Sequence, residues 1–383
     1  MSVTGPLGFR AAGVSAHLKS SGRPDVALVV NDGPGAAAAG VFTGNRVKAA
    51  PVIWTQQVLV SGSLRAVVLN SGGANACTGP DGFADTHLTA EHVGRELGCG
   101  AGEVAVCSTG LIGVRLPMDR LLGGVDAAAR ELSVDGGHLA AEAIMTTDTV
   151  DKQVLVAGAG FRVGGMAKGA GMLAPGLATM LVVLTTDAVA SAAALDRSLR
   201  AATARTFDRV DSDGCMSTND TVLLLASGAS GVKPSDSQLT AAVEEACAVL
   251  ARMLVADAEG ASKEVAVEVT GAATEDDAVE VARAVSRSNL LKCAIGGEDP
   301  NWGRVLASVG TTAAVFDPDD LAVAINGVWV CRKGAPAQDR DLVDMTGRVV
   351  RIVVDLGAGA STATVWTNDL TAAYVHENSA YST

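Results

Sequence analysis

Aromatic side chains, clustered positive charge and long apolar stretches are all scarce in this 383-residue chain. Only 3% of its residues are aromatic although 48% are hydrophobic, so its core must be built from Ala, Val and Leu. Lysines and arginines number 29 against 42 acids, a net charge of −13. Since nucleic acids and anionic membranes are bound through concentrated positive charge, neither is expected as a partner. Because no apolar run reaches ~18 residues and the N-terminus lacks the order of a signal peptide, we expect a cytoplasmic protein.

Cysteine pairs and histidine pairs are also missing. The seven cysteines are scattered and never spaced as Cys-x-x-Cys, so reduced thiols are expected. The five histidines lie far apart without a His-x-x-x-His pair, and no metal site is predicted. The glycine-rich stretches lack the Gly-x-Gly-x-x-Gly spacing that precedes a helix in dinucleotide sites. No cofactor is therefore predicted.

Short apolar runs alternate with amphipathic helical segments along the chain. Strands are predicted at 26–30, 65–69, 103–107, 153–156, 180–185, 221–226, 264–270, 321–325 and 349–356. Helices are predicted at 117–132, 190–210, 237–259 and 274–288, the last with Thr274 as its N-cap. This mixture indicates an α/β or α+β protein whose sheets are covered by helices. The length of the chain favours two lobes or subdomains.

The segment 168–187 places Thr179 between a loop of small residues and an apolar strand. A threonine hydroxyl is a weak nucleophile, and one way to activate it uses the residue's own α-amine, freed when the chain is cut just before it. Such an amine titrates near pH ~8, so part of it is an unprotonated base at neutral pH. Threonine is also common in strands that follow glycine- and proline-rich loops, so the pattern by itself leaves a structural role open.

Short motifs spread over nearly the whole chain form one ordered set. They lie at residues 8–13, 41–51, 70–77, 108–113, 145–149, 168–172, 178–181, 217–221, 259–260, 297–304 and 378–383. The set resembles the ornithine acetyltransferase family of arginine biosynthesis, also called glutamate N-acetyltransferase. The resemblance implies an α/β/β/α sandwich of the self-processing type with a smaller C-terminal lobe. It also implies that the chain cuts itself between Ala178 and Thr179.

The implied cut divides the sequence into two chains. The α chain, residues 1–178, would contain the N-terminal part of the sandwich and the oxyanion hole. The β chain, residues 179–383, would begin with the nucleophile strand and contain the C-terminal lobe and the substrate-binding tail. The resemblance implies that these chains assemble as an α2β2 heterotetramer, a state that no sequence feature fixes.

An acyl-transfer site also needs donors aimed at the oxyanion that develops when a carbonyl is attacked. The motif at 108–113 follows a predicted strand, so the hydroxyl of Thr109 and the backbone N–H of Gly110 could supply them. Considered alone, this motif is only a strand-to-loop turn. The resemblance assigns Thr109 and Gly110 as the oxyanion hole.

Recognition of an amino acid requires groups of both signs. A carboxylate is bound by Lys or Arg and by hydroxyls, and an ammonium is bound by a carboxylate or amide oxygen. Lys168, the hydroxyl of Thr146 or Thr147, and Glu259 could fill these roles, although isolated charges are usually solvated. The resemblance implies that Thr146, Lys168, Thr179, Glu259, Asn378 and Thr383 bind substrate, the last two from a C-terminal segment that folds over the site.

The implied reaction moves the acetyl group of N2-acetylornithine to glutamate by a ping-pong mechanism through acetyl-Thr179, within cyclic arginine biosynthesis. Ornithine and N-acetylglutamate are the products, and acetyl-CoA is a possible additional acetyl donor. Three alternatives stay open at this point. The chain could be a self-processing amidohydrolase or aminopeptidase in which water accepts the acyl group, a paralogue from specialised metabolism, or an uncut binding protein without catalytic activity.

Overall fold

The computed structural model describes residues 2–174 and 180–380, and these fold into two compact units. Unit 1 contains the described residues up to Asp208 together with Cys215–Leu254. Unit 2, the smaller, contains Arg209–Gly214 and the described chain from Val255 onward. None of the described helices is long and apolar enough to cross a membrane.

Two sheets form the centre of unit 1. The first sheet has the order β1-β2-β4-β5, with β1 (Phe9–Val14), β2 (Val26–Asn31), β4 (Ala66–Ser71) and β5 (Val104–Thr109). The second sheet has the order β3-β9-β8-β7-β6, with β3 (Ala37–Phe42), β6 (Lys152–Ala157), β7 (Arg162–Lys168), β8 (Leu181–Thr186) and β9 (Thr221–Ala226). Strand β4 is parallel to β5 and β8 is parallel to β9, while the remaining pairs in both sheets are antiparallel.

Helices cover the outer faces of these sheets. The helices of unit 1 are α1 (Ala50–Val58), α2 (Gly79–Leu97), α3 (Met118–Arg130), α4 (Gly137–Ala143), α5 (Ala192–Arg205) and α6 (Asp236–Ala256). The first four pack against the first sheet, while α5 contacts β3 and β9 of the second. Leu250 of α6 lies beside Gly165 of β7.

The inner faces of the two sheets share one aliphatic core. Val29 and Leu69, which share one face of the first sheet, belong to the same buried cluster as Met166, Val183 and Leu223 of the second. Nearly all strand residues near the middle of the sheets are buried, as the continuous apolar runs predict. The α/β/β/α sandwich expected from the sequence is confirmed for unit 1.

Unit 2 has its own sheet and its own core. The sheet order is β13-β12-β11-β14-β10-β15, with β10 (Glu264–Ala272), β11 (Ala322–Ile325), β12 (Val328–Arg332), β13 (Ala335–Pro336), β14 (Val349–Asp355) and β15 (Ser361–Asn368). Its helices are α7 (Glu275–Ser286), α8 (Asn289–Gly296), α9 (Trp302–Val309) and α10 (Ala372–Ala380). The predicted cap of α7 is present, because Thr274 Oγ1 accepts the Asp277 N–H at 3.1 Å. Buried residues alternate along β10, as expected for a strand with one solvated face.

Candidate active site

The predicted oxyanion motif lies at the end of a buried strand. Thr109 is the last residue of β5 and is only 4% exposed. Gly110 has a φ of +128°, and a Cβ at this position would lie 2.6 Å from the backbone nitrogen of Gly73. The Gly73 N–H in turn donates to the Thr109 carbonyl at 3.0 Å. Only glycine fits at position 110, because the loop after β4 packs directly against it.

Buried amides hold the backbone before Thr109 in place. Ser108 Oγ donates to Asn70 Oδ1 at 2.6 Å, and Asn70 Nδ2 donates to the Gly73 carbonyl at 3.1 Å. Asn219 Nδ2 donates to the carbonyls of Ser108 and Ala74 at 2.8 and 2.6 Å. Since each of these groups is buried, losing one partner would leave an unsatisfied polar atom. The network therefore fixes the direction in which Thr109 and Gly110 point.

Lys168 reaches the same point from the second sheet. It is the last residue of β7, is 2% exposed, and its Nζ donates to Thr109 Oγ1 at 3.3 Å. In the β7–β8 pairing Lys168 lies opposite Leu181, two residues after Thr179 in the sequence. The two sheets thus bring together three residues that the sequence analysis assigned to the site, Thr109, Gly110 and Lys168.

Asp148 links the segment that contains Thr146 to the end of β7, where Lys168 lies. Its Oδ1 accepts Lys152 Nζ at 2.7 Å and the Gly169 N–H at 2.6 Å, and its Oδ2 accepts the Thr146 N–H at 3.0 Å. Burial acts to raise the pKa of Asp148, but the charges of Lys168 and Lys152 and the donated hydrogen bonds lower it to about 2. Thr146 is therefore anchored through one buried carboxylate to the end of β7.

A second buried acid, Asp220, lies just before β9. Its Oδ1 accepts the Met180 N–H at 3.1 Å, and within the described chain its Oδ2 has no hydrogen-bond partner. Burial raises the pKa of this carboxyl well above its usual value, against the opposing effects of the Met180 amide, the Ser217 and Thr43 hydroxyls and the Lys168 charge. Asp220 thus holds the backbone amide of Met180, the residue that follows Thr179. The raised pKa favours the neutral form of the Asp220 carboxyl.

Neither Asp148 nor Asp220 was predicted from the sequence, although both lie inside recognised motifs. In the motif at 145–149 only the threonine hydroxyls were considered, and in the motif at 217–221 no residue was given a role. The available signal was an acid placed next to an apolar strand, where a carboxylate needs a specific partner.

Unit 2 brings two predicted substrate-binding residues into contact. Asn378 Nδ2, on α10, donates to Glu259 Oε2 at 2.9 Å. The helix predicted at 237–259 was expected to end at Glu259, and this was wrong. Helix α6 ends at Ala256, and Glu259 lies in the turn that follows.

Gly260 allows α10 to approach that turn. Its φ is +61°, and a Cβ there would lie 2.2 Å from the backbone nitrogen of Tyr374. Thr371 Oγ1 donates to the Gly260 carbonyl at 2.6 Å and accepts the Tyr374 N–H at 3.1 Å. The start of α10 is thereby fixed against the residue next to Glu259.

Three predicted residues, Ala178, Thr179 and Thr383, lie outside the described residues.

One cluster in the described part of the chain has ligand atoms close enough for a metal ion, and it contains His92, Glu96 and Asp126. His92 already contacts the Asp126 carboxylate at 2.5 Å and the Arg95 guanidinium at 3.0 Å. These contacts describe a surface ion-pair network between α2 and α3 and give no reason to assign a metal.

A family model described as the ArgJ family matches residues 10–383 of this sequence. The chain belongs to the ArgJ family. It is 69% identical to the arginine biosynthesis bifunctional protein ArgJ of Streptomyces avermitilis over 100% of both chains, and 63% identical to that of Thermobifida fusca, again over 100% of both. A solved ornithine acetyltransferase of Mycobacterium tuberculosis, complexed with ornithine, is 59% identical over 47% of this chain and 96% of that one, with a TM-score of 0.43.

Membership of the ArgJ family confirms the resemblance drawn from the sequence motifs. It also confirms the predictions of an enzyme, of an acyltransferase class and of a place in arginine biosynthesis. The roles of individual residues, the division at position 178 and the assembly stay predictions.

Proposed function

We propose that this ArgJ-family enzyme moves the acetyl group of N2-acetylornithine to glutamate through an ester on Thr179. The observation that carries the proposal is the contact of the buried Lys168 ammonium with Thr109 Oγ1, beside Gly110. Because Lys168 donates to the Thr109 oxygen, the hydroxyl hydrogen of Thr109 is left to donate elsewhere. A hydroxyl and a backbone N–H of Gly110 are the two donors that an acyl-transfer oxyanion needs.

Maturation would come first. The Thr179 hydroxyl attacks the carbonyl carbon of Ala178, the peptide C–N bond breaks, and the proton of the hydroxyl passes to the departing α-amine. Water then hydrolyses the resulting ester, leaving chains of residues 1–178 and 179–383. Asp220 supports this step by holding the amide of Met180, and with it the start of β8, in a fixed position.

In catalysis the freed α-amine of Thr179 accepts the proton of its own hydroxyl, and the oxygen attacks the acetyl carbonyl of N2-acetylornithine. Ornithine leaves with that proton, and acetyl-Thr179 remains. The α-amine of glutamate then attacks the ester, the bond to Thr179 breaks, and N-acetylglutamate is released. Thr109 and Gly110 would stabilise the oxyanion in both halves of this ping-pong reaction.

Substrate recognition would use the remaining predicted residues. Lys168 and Thr146 would bind the α-carboxylate that both amino acids carry, while Glu259, held by Asn378, would accept the side-chain ammonium of ornithine. Thr383 would complete the pocket from the C-terminal end. We also propose the α2β2 assembly and a cytoplasmic location, with acetyl-CoA as a possible second acetyl donor and no cofactor.

The test is a transfer assay with purified enzyme, N2-acetylornithine and glutamate. Ornithine and N-acetylglutamate should form in equal amounts, and without glutamate each β chain should retain one acetyl group after a single burst of ornithine. Continued ornithine release in the absence of glutamate would identify an amidohydrolase. Binding of N2-acetylornithine by an uncut chain, with no turnover, would identify a binding protein.

A further inference from the structure

A cavity of about 470 Å³ opens next to Thr146 in unit 1. Two cations, Lys19 and Arg23, form the cationic wall of its lining, which also contains Thr146, Glu142 and Asp151. Lys19 Nζ donates to the carbonyl of Met145 at 3.1 Å, which joins this wall to the segment that Asp148 anchors. The cavity therefore adjoins the proposed carboxylate site without using any residue that the family resemblance assigns, apart from Thr146.

The loop that carries Lys19 is fixed by hydrogen bonds from its backbone to a buried carboxylate. The fully buried Asp25 carboxylate accepts the backbone N–H groups of Ala16, Leu18 and Lys19 at 2.6, 2.6 and 3.0 Å. Arg120 also donates to the His17 carbonyl at 2.9 Å. Because Asp25 is occupied by these three amides, it fixes the position of Lys19 without forming an ion pair with its ammonium.

The two cations of the wall lack an ion-pair partner in the described chain. No carboxylate there forms a salt bridge with the Lys19 ammonium or the Arg23 guanidinium. Partial burial lowers the pKa of Lys19, Asp25 and Asp148 act to raise it, and Arg23 and Lys168 act to lower it. An arriving carboxylate would remove this imbalance and gain charge-assisted hydrogen bonds.

The acids that line the cavity, Glu142 and Asp151, have polar contacts of their own. His138 lies 3.6 Å from Glu142 and 3.3 Å from Asp151, and Gln153 also donates to Asp151. The cavity is thus lined by two cations that form no salt bridge in the described chain and by two acids that already have polar partners. It would repel the side-chain ammonium of ornithine near Lys19 and accept an anion there.

We propose that Lys19, assisted by Arg23, binds the side-chain carboxylate of the acceptor glutamate. This inference rests on the proposed acetyl transfer and adds to it. Both substrates share an α-carboxylate, so Lys168 alone does not distinguish them, whereas a second carboxylate occurs only in glutamate. A second cationic group next to the Lys168 site would favour binding of the acceptor glutamate over the ornithine that has just been released.

The test uses enzyme acetylated beforehand with N2-acetylornithine, so that only the second half of the reaction is measured. In Lys19→Gln, the second-order rate constant for deacetylation by L-glutamate should fall on the order of tenfold to a hundredfold, as expected for a lost hydrogen bond to a charged group. The burst of ornithine in the first half-reaction and the slow deacetylation by water should be unchanged. L-Glutamine, which keeps the shape without the charge, should react equally slowly with both enzymes.

Three variants complete the design. Lys19→Arg should retain most of the rate with glutamate, Arg23→Gln should show a smaller loss than Lys19→Gln, and the exposed Lys233→Gln should show none. An unchanged rate with glutamate in Lys19→Gln, or an equal loss in both half-reactions, would overturn the inference. Failure of the wild-type enzyme to form an acetyl ester would instead overturn the proposed function, and the two results are distinguishable.

Discussion

Three nearly fully buried side chains, Asp148, Lys152 and Lys168, carry formal charges inside unit 1. Burying a charge costs free energy unless the charge has a partner. Here the Asp148 carboxylate forms an ion pair with Lys152 and is also stabilised by the charge of Lys168. The arrangement keeps a cation next to Thr109 without exposing it to water. Residue-level chemistry of this kind is difficult to recognise in a sequence, because burial and partners depend on contacts between distant segments.

Replacing Thr109 should affect the chemical step specifically. Thr109→Ala removes one oxyanion donor, and we expect kcat for acetyl transfer to fall on the order of a hundredfold to a thousandfold. Thr109→Ser keeps the hydroxyl and should retain most of the activity. Steady-state kinetics of both variants, with the thermal midpoint as a check on folding, make the comparison. Activity of Thr109→Ala within threefold of wild type would exclude the assignment.

Replacing Asp148 should affect stability and its dependence on pH. In Asp148→Asn the buried Lys152 ammonium loses its ion pair with Asp148, so the free energy of unfolding should fall by about 3–5 kcal/mol at pH 7. The folded-state pKa of about 2 lies below the ordinary 3.8, so the charge of Asp148 stabilises the fold above pH ~4 and this contribution disappears as the pH falls through about 2.

Denaturant unfolding of wild type and Asp148→Asn between pH 7 and pH 2.5 would measure both effects. The control is Asp32→Asn, which breaks the exposed ion pair with Arg10 and should cost less than about 1 kcal/mol. If the two variants lose equal stability, or if the acid dependence of Asp148→Asn matches that of wild type, the account of Asp148 is wrong.

At the level of elements, the sequence predicted strands from both continuous and alternating apolar runs. All nine predicted strands are present within two residues of the expected ends. The described strands that were not predicted are β1, β3, β7, β12, β13 and β15. Strands β3 and β7 are rich in alanine and glycine, and glycine weakens any strand signal. Lys168 was therefore placed in a loop segment, whereas it ends β7 in register with Leu181. Strand pairing of this kind depends on long-range contacts that local patterns do not contain.

Helix α10 offers a test at this level. In Gly260→Ala the new methyl group would overlap the Tyr374 backbone, and the positive φ costs about 1–2 kcal/mol for a residue with a Cβ. The helix must shift, and the contact of Asn378 with Glu259 should weaken. We expect a higher KM for N2-acetylornithine and lower stability, measured by kinetics and by thermal unfolding.

The matched control is Gly347→Ala, also in unit 2, where the added methyl group meets no atom within 4 Å. It should leave both KM and the thermal midpoint near those of wild type. Equal KM values for the two glycine variants would show that the position of α10 does not affect the binding of N2-acetylornithine.

At the scale of the whole molecule, the ordered motifs predicted the family and the sandwich, and both are confirmed. The compact units were not predictable from the motifs, because unit 2 combines a short segment, Arg209–Gly214, with the chain from Val255 onward. The implied cut after Ala178 falls within the sequence range of unit 1. Maturation and compact folding therefore divide the chain at different places.

The C-terminal segment should matter for transfer and not for cleavage. Deleting residues 378–383 removes Asn378 from Glu259 and removes Thr383, so acetyl transfer should be lost while the cut before Thr179 still occurs. Gel analysis of the fragments and the transfer assay report the two properties separately. His376→Ala, an exposed position on the same helix, should be silent in both assays. Full transfer by the truncated enzyme would remove the tail from the site.

The central claim is that Thr179 becomes the N-terminal nucleophile of a self-cut chain. Intact mass and N-terminal sequencing of the purified protein, before and after N2-acetylornithine is added, test it most directly. The account predicts two fragments, the second beginning Thr-Met-Leu-Val-Val and gaining one acetyl group when the substrate is added, while Thr179→Ala stays uncut. A folded wild-type chain that remains whole, or an acetyl group found on any other residue, would contradict it.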